Sequence, residues 1–316
     1  MHRTCLAIVL CSLSMLCACQ EKTQQENRLA VEIKTPVIVV VNYPLEFIVE
    51  SLVGPDIEVL NPVPPGSDPE TWFPDDAMIQ IIQRADLIVT NGAGFADWVK
   101  KLSLPRSKVL KTSLFLKEAL ITVPDYEVHS HGTGGAHSHA GTVAFFWLDP
   151  ALMARQADAI GKKLTQLLPE EKETISANLK KLQDSLEPLT QELDQLRTDY
   201  PGLHWFTQRP VYQYLARHAG WKVHHLHWKK NSDPTKNILE KLKTIQKQHK
   251  VRFMLWEEDP DEKTIKDLKQ RGISSVVLDP LSTKPAQGNY LTEMRRQLNQ
   301  LEAFLKQNSS AQKSSE

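Results

Sequence analysis

From residue 20 onward the chain has no cysteine: of its 316 residues, the four cysteines are Cys5, Cys11, Cys17 and Cys19. That excludes a disulfide framework for the body of the protein. Long apolar runs are lacking too. The most apolar stretch, residues 6–16, is too short to span a bilayer as a stable helix and contains Ser12 and Ser14. Neither sign of charge is in excess, with 38 Lys and Arg against 38 Asp and Glu, so the charge balance makes no case for nucleic acid as a partner. Walker A, Gly-x-Ser-x-Gly and His-Glu-x-x-His are all missing, and no nucleophile stands at a recognisable spacing from a base. The chain therefore reads as a non-enzyme. Apolar residues are plentiful: 41% of the chain is hydrophobic against 24% charged. That suffices for one large domain or two ordinary ones and excludes a disordered protein.

The N-terminus reads as a secretory signal. His2 and Arg3 precede the apolar stretch, which ends in Leu16-Cys17-Ala18-Cys19. That ending resembles a bacterial lipobox. On this reading residues 1–18 are a lipoprotein signal peptide and Cys19 is lipidated on sulfur. Residues 19–34 are then a polar tether, and the protein faces the periplasm or cell exterior, held to the membrane by its lipid alone. The other reading is an ordinary signal peptide with incidental cysteines.

Beyond Pro36, the apolar run 37–41 fits a parallel strand buried on both faces. Asn42-Tyr43-Pro44 then opens a helix. A strand over 57–60, a Pro- and Gly-rich loop over 61–74, a helix around 78–82 and a strand over 87–90 follow. Such alternation predicts a parallel sheet with ligands at the carboxyl ends of its strands. Residues 125–142 hold four Gly and four His and read as a functional or mobile loop. The apolar residues Ile175, Leu179, Leu182, Leu186, Leu189, Leu193 and Leu196 recur at heptad spacing. They fit a dimeric coiled coil or a long helix laid along two lobes, and Pro188 favours the latter. A second α/β set follows Pro201, with strands over 204–207, 223–227, 253–257 and 275–278 and helices over 211–219, 237–248, 262–271 and 290–306. The fold class is α/β, with two lobes, each a mostly parallel sheet flanked by helices, joined by one long helix. The expected divisions are an N-terminal lobe (35–150), linking helices (151–200), a C-terminal lobe (201–307) and a disordered tail (308–316).

Several segments then carry a resemblance: Tyr43-Pro44-Leu45, Val63-Pro64-Pro65-Gly66-Ser67-Asp68-Pro69, Ala85-Asp86-Leu87, Asn91-Gly92-Ala93-Gly94, Trp147-Leu148-Asp149-Pro150, Tyr214-Leu215-Ala216-Arg217 and Leu278-Asp279-Pro280-Leu281. In this order they resemble the zinc- and manganese-uptake solute-binding proteins of bacterial ABC importers. The resemblance implies two lobes with a rigid linking helix, a metal site in the cleft between them, and a membrane permease as partner. It also implies zinc, manganese or another divalent cation as cargo, and a His-rich loop where residues 125–142 fall. The departures are as informative. Where the family has histidines, this chain has Glu70, Phe145 and Arg209, or Gln208 if the alignment slips by one. Only Asp279 keeps the family's residue. Phe145 offers no lone pair and Arg209 is a permanent cation, so the family's site is not carried over intact.

The candidate metal ligands are therefore elsewhere or altered. His129, His131, His137 and His139 form two His-x-His pairs around a Gly-rich stretch, able to converge on one cation; the plainer reading is a solvated polar loop. Glu70, Asp279 and Glu257 remain near the altered cleft. His225 and His227 would share a strand face about 7 Å apart, or belong to an aromatic-rich strand beside Trp221 and Trp228. His204 is a candidate displaced ligand; His218 and His249 read as helix-surface residues. A further expectation is that Arg209 takes the missing metal's place, bridging Glu70 and Asp279; alternatively it points to solvent. Two functions follow: zinc binding for import, or an accessory or scaffold lipoprotein of the same fold whose cleft no longer binds metal.

Overall fold

A computed structural model describes residues 35–130, 136–229 and 232–313. The signal segment, the tether with Cys19, and His131 lie outside the described residues. Among the described residues no helix is long and apolar enough to cross a membrane.

β1 (Val37–Val40) runs into α1 (Tyr43–Leu52), whose first turn is capped by Asn42, its Oδ1 accepting from the Leu45 amide at 3.3 Å. β2 (Glu58–Leu60) follows. Next come α2 (Asp76–Arg84), capped by Asp75, β3 (Leu87–Thr90) and β4 (Val109–Lys111). The sheet order is β2-β1-β3-β4, parallel throughout. Ile38 to Val41 and Leu87 to Val89 are buried, as expected of central strands covered on both faces.

The stretch expected to be a structureless loop is instead a β-hairpin. β5 (Thr122–Ser130) pairs antiparallel with β6 (Ala136–Thr142), with a register irregularity between Val123 and Glu127. A ladder needs only main-chain donors and acceptors, which polar side chains do not remove. Val123, Tyr126 and Val128 favour the extended backbone.

α3 (Pro150–Leu167) starts at Asp149, whose carboxylate caps the Ala151 amide at 3.0 Å. α4 (Lys172–Asp199) is one continuous helix through Pro188. Its stripe residues Ile175, Leu182, Leu186, Leu189, Leu193 and Leu196 are buried in the chain's own core, against α1, α3 and a later helix. The stripe is thus used within the chain, and the long-helix reading accounts for it.

The second sheet is built from β7 (His204–Thr207), β8 (Lys222–His225), β9 (Phe253–Trp256) and β10 (Ser274–Val277), with α5 (Gln213–His218), α6 (Lys236–His249) and α7 (Glu262–Gln270) between them. Its order is β10-β9-β7-β8, again all parallel. Both sheets thus have one plan: the second strand on one side of the first, the next two on the other. α8 (Tyr290–Lys313) closes the chain, burying Tyr290, Met294, Leu298, Leu301 and Leu305. It continues past residue 308, where a disordered tail was expected; residues 308–313 contain no Gly or Pro to stop a helix.

The quoted motifs meet one another. Trp147 Nε1 donates to the Pro280 carbonyl at 2.7 Å, and the Tyr43 amide to the Ser282 carbonyl at 3.1 Å. Tyr290 donates to the Trp147 carbonyl, and Tyr214 to the Val143 carbonyl at 2.8 Å. These are among the bonds that join the two sheet-bearing halves, and one large apolar core contains residues of both sheets.

Candidate functional site

In each sheet the connection order reverses beside the first strand, and ligands of such sheets gather at the carboxyl ends there. In the second sheet this point lies between β7 and β9. β7 ends at Thr207 and is followed by Gln208-Arg209; β9 ends at Trp256 and is followed by Glu257. Arg209 and Glu257 therefore face each other across neighbouring strand ends. Arg209 Nε donates to Glu257 Oε1 at 2.9 Å and to Oε2 at 3.0 Å, and Nη2 donates to Oε2 at 2.8 Å.

The other branch of the guanidinium reaches the first half. Arg209 Nη1 donates to Glu70 Oε2. Glu70 lies in the loop between β2 and α2, its amide bonded to Asp68 Oδ1 at 2.9 Å. Beneath the guanidinium lies Phe145, its ring centroid 5.2 Å from Arg209 Cζ. That ring is fully buried, 5.7 Å from Phe95 and 5.0 Å from Trp147 between centroids.

Glu70, Phe145 and Arg209, the three residues standing where the resemblance implies histidines, thus come together. They do so as an ion pair on an aromatic floor. The side chain of Arg209 is 40% exposed and those of Glu70 and Glu257 16% each, so the cluster is partly wet. Burial works against a charged guanidinium, but Glu70 and Glu257 outweigh it and raise the Arg209 pKa further. Burial pushes the Glu70 carboxyl up, and Arg209 offsets part of that push.

Asp279 does not take the place expected of it. Its Oδ1 accepts from the Leu281 amide at 2.7 Å, fixing a turn in which Leu281 has φ 56°. The sheet order explains the substitution: β9 stands between β7 and β10, so Glu257 is the nearer carboxylate to Arg209. Burial raises the Asp279 pKa. Asp279 lines, with Asp68, Arg209, Trp228, Glu257 and Glu258, a cavity of about 540 Å³ beside the ion pair. Among the described residues no group of three or more His, Cys, Asp or Glu is arranged to hold a metal ion.

The histidines fall into separate groups. In the hairpin, His129 is the register partner of His137, and Glu127 of His139; the side chains of residues 125–140 are not among those described. His225 and His227 have ring centroids 4.8 Å apart. They do not occupy alternate positions of one strand, because β8 ends at His225 and His227 takes φ 54°.

His204 packs with His224 and with His249, the latter read from the sequence as a helix-surface residue. Its Nδ1 lies 3.0 Å from His224 Nε2, and His249 stacks on both. His218, read as an ordinary helix-surface residue, is only 11% exposed: its Nδ1 is 2.9 Å from Asp149 Oδ1 and its Nε2 3.4 Å from Asp194 Oδ1. The signal for His218 was Asp149, an acid in a motif, whose partner has to come from elsewhere in the chain.

Two parallel α/β sheets of like order, joined along a long helix and carrying a cavity at strand ends, make the two-lobed architecture of the family that the sequence matches. Residues 38–304 match the family "Zinc-uptake complex component A periplasmic", ZnuA, and the chain belongs to that family. It is similar to the "High-affinity zinc uptake system protein ZnuA" of Bacillus subtilis (strain 168), 26% identical over 232 residues, which cover 72% of each chain. Its fold matches the metal-dependent lipoprotein YcdH of Bacillus subtilis with TM-score 0.70 at 23% identity, covering 84% of this chain and 98% of that one. It matches the solute-binding protein FpvC of Pseudomonas aeruginosa, solved with Mn2+, with TM-score 0.70 at 21% identity, covering 84% and 96%. The family is one of binding proteins, in accord with the reading of the chain as a non-enzyme.

Proposed function

We propose that the chain is a lipid-anchored, zinc-handling solute-binding protein that serves the membrane permease of an ABC importer. We further propose that it takes zinc, or another divalent transition metal, on the histidines of the β5–β6 hairpin rather than in its cleft. The observation that carries this is the Arg209 fork on Glu70 and Glu257. A guanidinium keeps its proton and has no lone pair to give. A metal entering there would have to expel a cation already bonded to both carboxylates, and would find Phe145 as a wall. The hairpin supports the alternative: His129 and His137 are register partners on its two strands, and His139 follows two residues on. Neutral imidazoles suit zinc, and such a site weakens below about pH 6.5 as they protonate.

Calorimetry tests the metal reading. Zinc should bind the wild-type protein, and replacing His129, His131, His137 and His139 together with alanine should remove the tightest class of sites. Arg209→Ala should leave that class intact. Tight binding that survives the fourfold replacement would place the site elsewhere. The same Arg209 fork also favours a second reading, an accessory or scaffold lipoprotein, for which wild-type protein would bind no zinc tightly.

The anchor rests on the Leu16-Cys17-Ala18-Cys19 ending. Cys19→Ala should move the protein out of the membrane fraction and abolish its acyl mass. An unchanged membrane fraction would mean that something other than this cysteine holds it.

A further inference from the structure

We propose that the cavity beside the ion pair is a second binding site, for a small organic cation of the diamine or polyamine class. The cavity, about 540 Å³, is of the size that encloses a small molecule rather than a single ion. It lies at the carboxyl ends of β7 and β9, where the order of the second sheet reverses and where ligands of such sheets gather. It shares no residue with the β5–β6 hairpin.

Charge selects the ligand. Asp68, Glu257, Glu258 and Asp279 line the cavity, and the one basic side chain among its walls is Arg209. Arg209 is committed to Glu257 and to Glu70. Asp68 uses Oδ1 for the Glu70 amide and Asp279 uses Oδ1 for the Leu281 amide. Each keeps its Oδ2 without a hydrogen-bond partner among the described residues. An anion would meet this row of carboxylates, whereas an ammonium group gives them charge-assisted hydrogen bonds. Among the described residues the carboxylates are not arranged to hold a metal ion, so the cation that suits them brings its own shape and donors. Asp68 belongs to the first half and Asp279 to the second, which suits a molecule with an ammonium group at each end.

Gln208 points to a ligand independently of the acids. It is only 7% exposed, it lines the cavity, and among the described residues its side-chain amide has no hydrogen-bond partner. Its main-chain carbonyl accepts from the Trp228 amide at 3.1 Å, which fixes where the side chain starts. Buried amides are nearly always paired. This one is offered to the cavity, where its oxygen can accept from an ammonium N–H. Trp228, itself buried, gives its indole N–H to the Ser232 carbonyl at 2.8 Å, so what it adds to the cavity wall is carbon. The methylenes between two ammonium groups pack on such a surface.

The test is calorimetry on the full chain, with spermidine and 1,4-diaminobutane as probes and butanedioate and 1,4-butanediol as anionic and neutral counterparts. The amines should bind one to one and the counterparts should not. Asp279→Asn, which keeps an oxygen for the Leu281 amide, should weaken spermidine binding by at least about tenfold, the worth of one hydrogen bond to a charged group. Gln208→Leu should weaken it too. Glu170→Gln, at an exposed position between α3 and α4, should change nothing, which separates the cavity from a general attraction of polyamines to acidic surface. Zinc should bind alongside spermidine. No amine binding, equal binding of butanedioate, wild-type affinity in either cavity variant, or release of spermidine by zinc would overturn the proposal. Because the hairpin reading is judged by zinc on hairpin variants and this one by amines on cavity variants, either can fail without the other.

Discussion

The imidazole of His218 is held by two carboxylates, Asp149 on one nitrogen and Asp194 on the other. Both ring nitrogens donate only when the ring is protonated. The hydrogen bond to Asp149 is the largest influence and raises the His218 pKa; burial opposes it, and the charges of Asp149 and Asp194 add to the rise. A histidine whose pKa is higher folded than unfolded contributes stability that is fully present below the unfolded value of about 6.5 and lost as pH rises through the folded value. Asp149 also caps α3, so the imidazolium steadies a helix start as well as joining α4 to α5. His218→Ala should therefore cost about 1–3 kcal/mol at pH 6, typical of a hydrogen bond to a charged group, and distinctly less at pH 9. Urea melts at the two pH values check it. An equal penalty at both would show that the ring's shape matters and its charge does not.

At the scale of elements, the features legible in the sequence were those fixed by local chemistry. The run 37–41, the helix start at Asn42-Tyr43-Pro44 and the stripe on α4 each announce an element through residues adjacent in sequence or one helical turn apart. The β5–β6 hairpin was not legible, because histidine and glycine counts describe side chains while pairing is decided by the main chain. At the site, the family resemblance brought Glu70 and Arg209 to notice. Choosing Glu257 over Asp279 as the second carboxylate needed the strand order β10-β9-β7, a fact about the sheet that no single segment contains. The stacking of His249 on His204 and His224 was not legible for a similar reason. A residue at the end of an exposed helix looks unremarkable until the helix end is known to lie over two strands that carry histidines.

For the whole molecule, the question is what holds the two halves together. On one side the contacts are buried: Trp147 to Pro280, Tyr43 to Ser282 and Tyr290 to Trp147, made by aromatic side chains and main chain. At the strand ends Arg209 joins Glu257 of its own half to Glu70 of the other. A ligand can shift an equilibrium between open and closed arrangements only by its differential affinity for the two. In this chain the closing contact is made by the protein's own side chains. Its loss leaves Glu70 and Glu257 without a counter-ion, at a cost of about 1–3 kcal/mol after allowance for the solvent that reaches the cluster. Arg209→Ala should therefore lower stability by that amount and, with the aromatic contacts intact, let the halves part at the strand ends. Small-angle scattering should show a larger radius of gyration for Arg209→Ala than for wild type. Zinc should leave the wild-type radius unchanged, since it has no clasp left to close. A wild-type protein that contracts when zinc is added would mean that the cleft still closes on metal, with the Arg209 fork giving way to it.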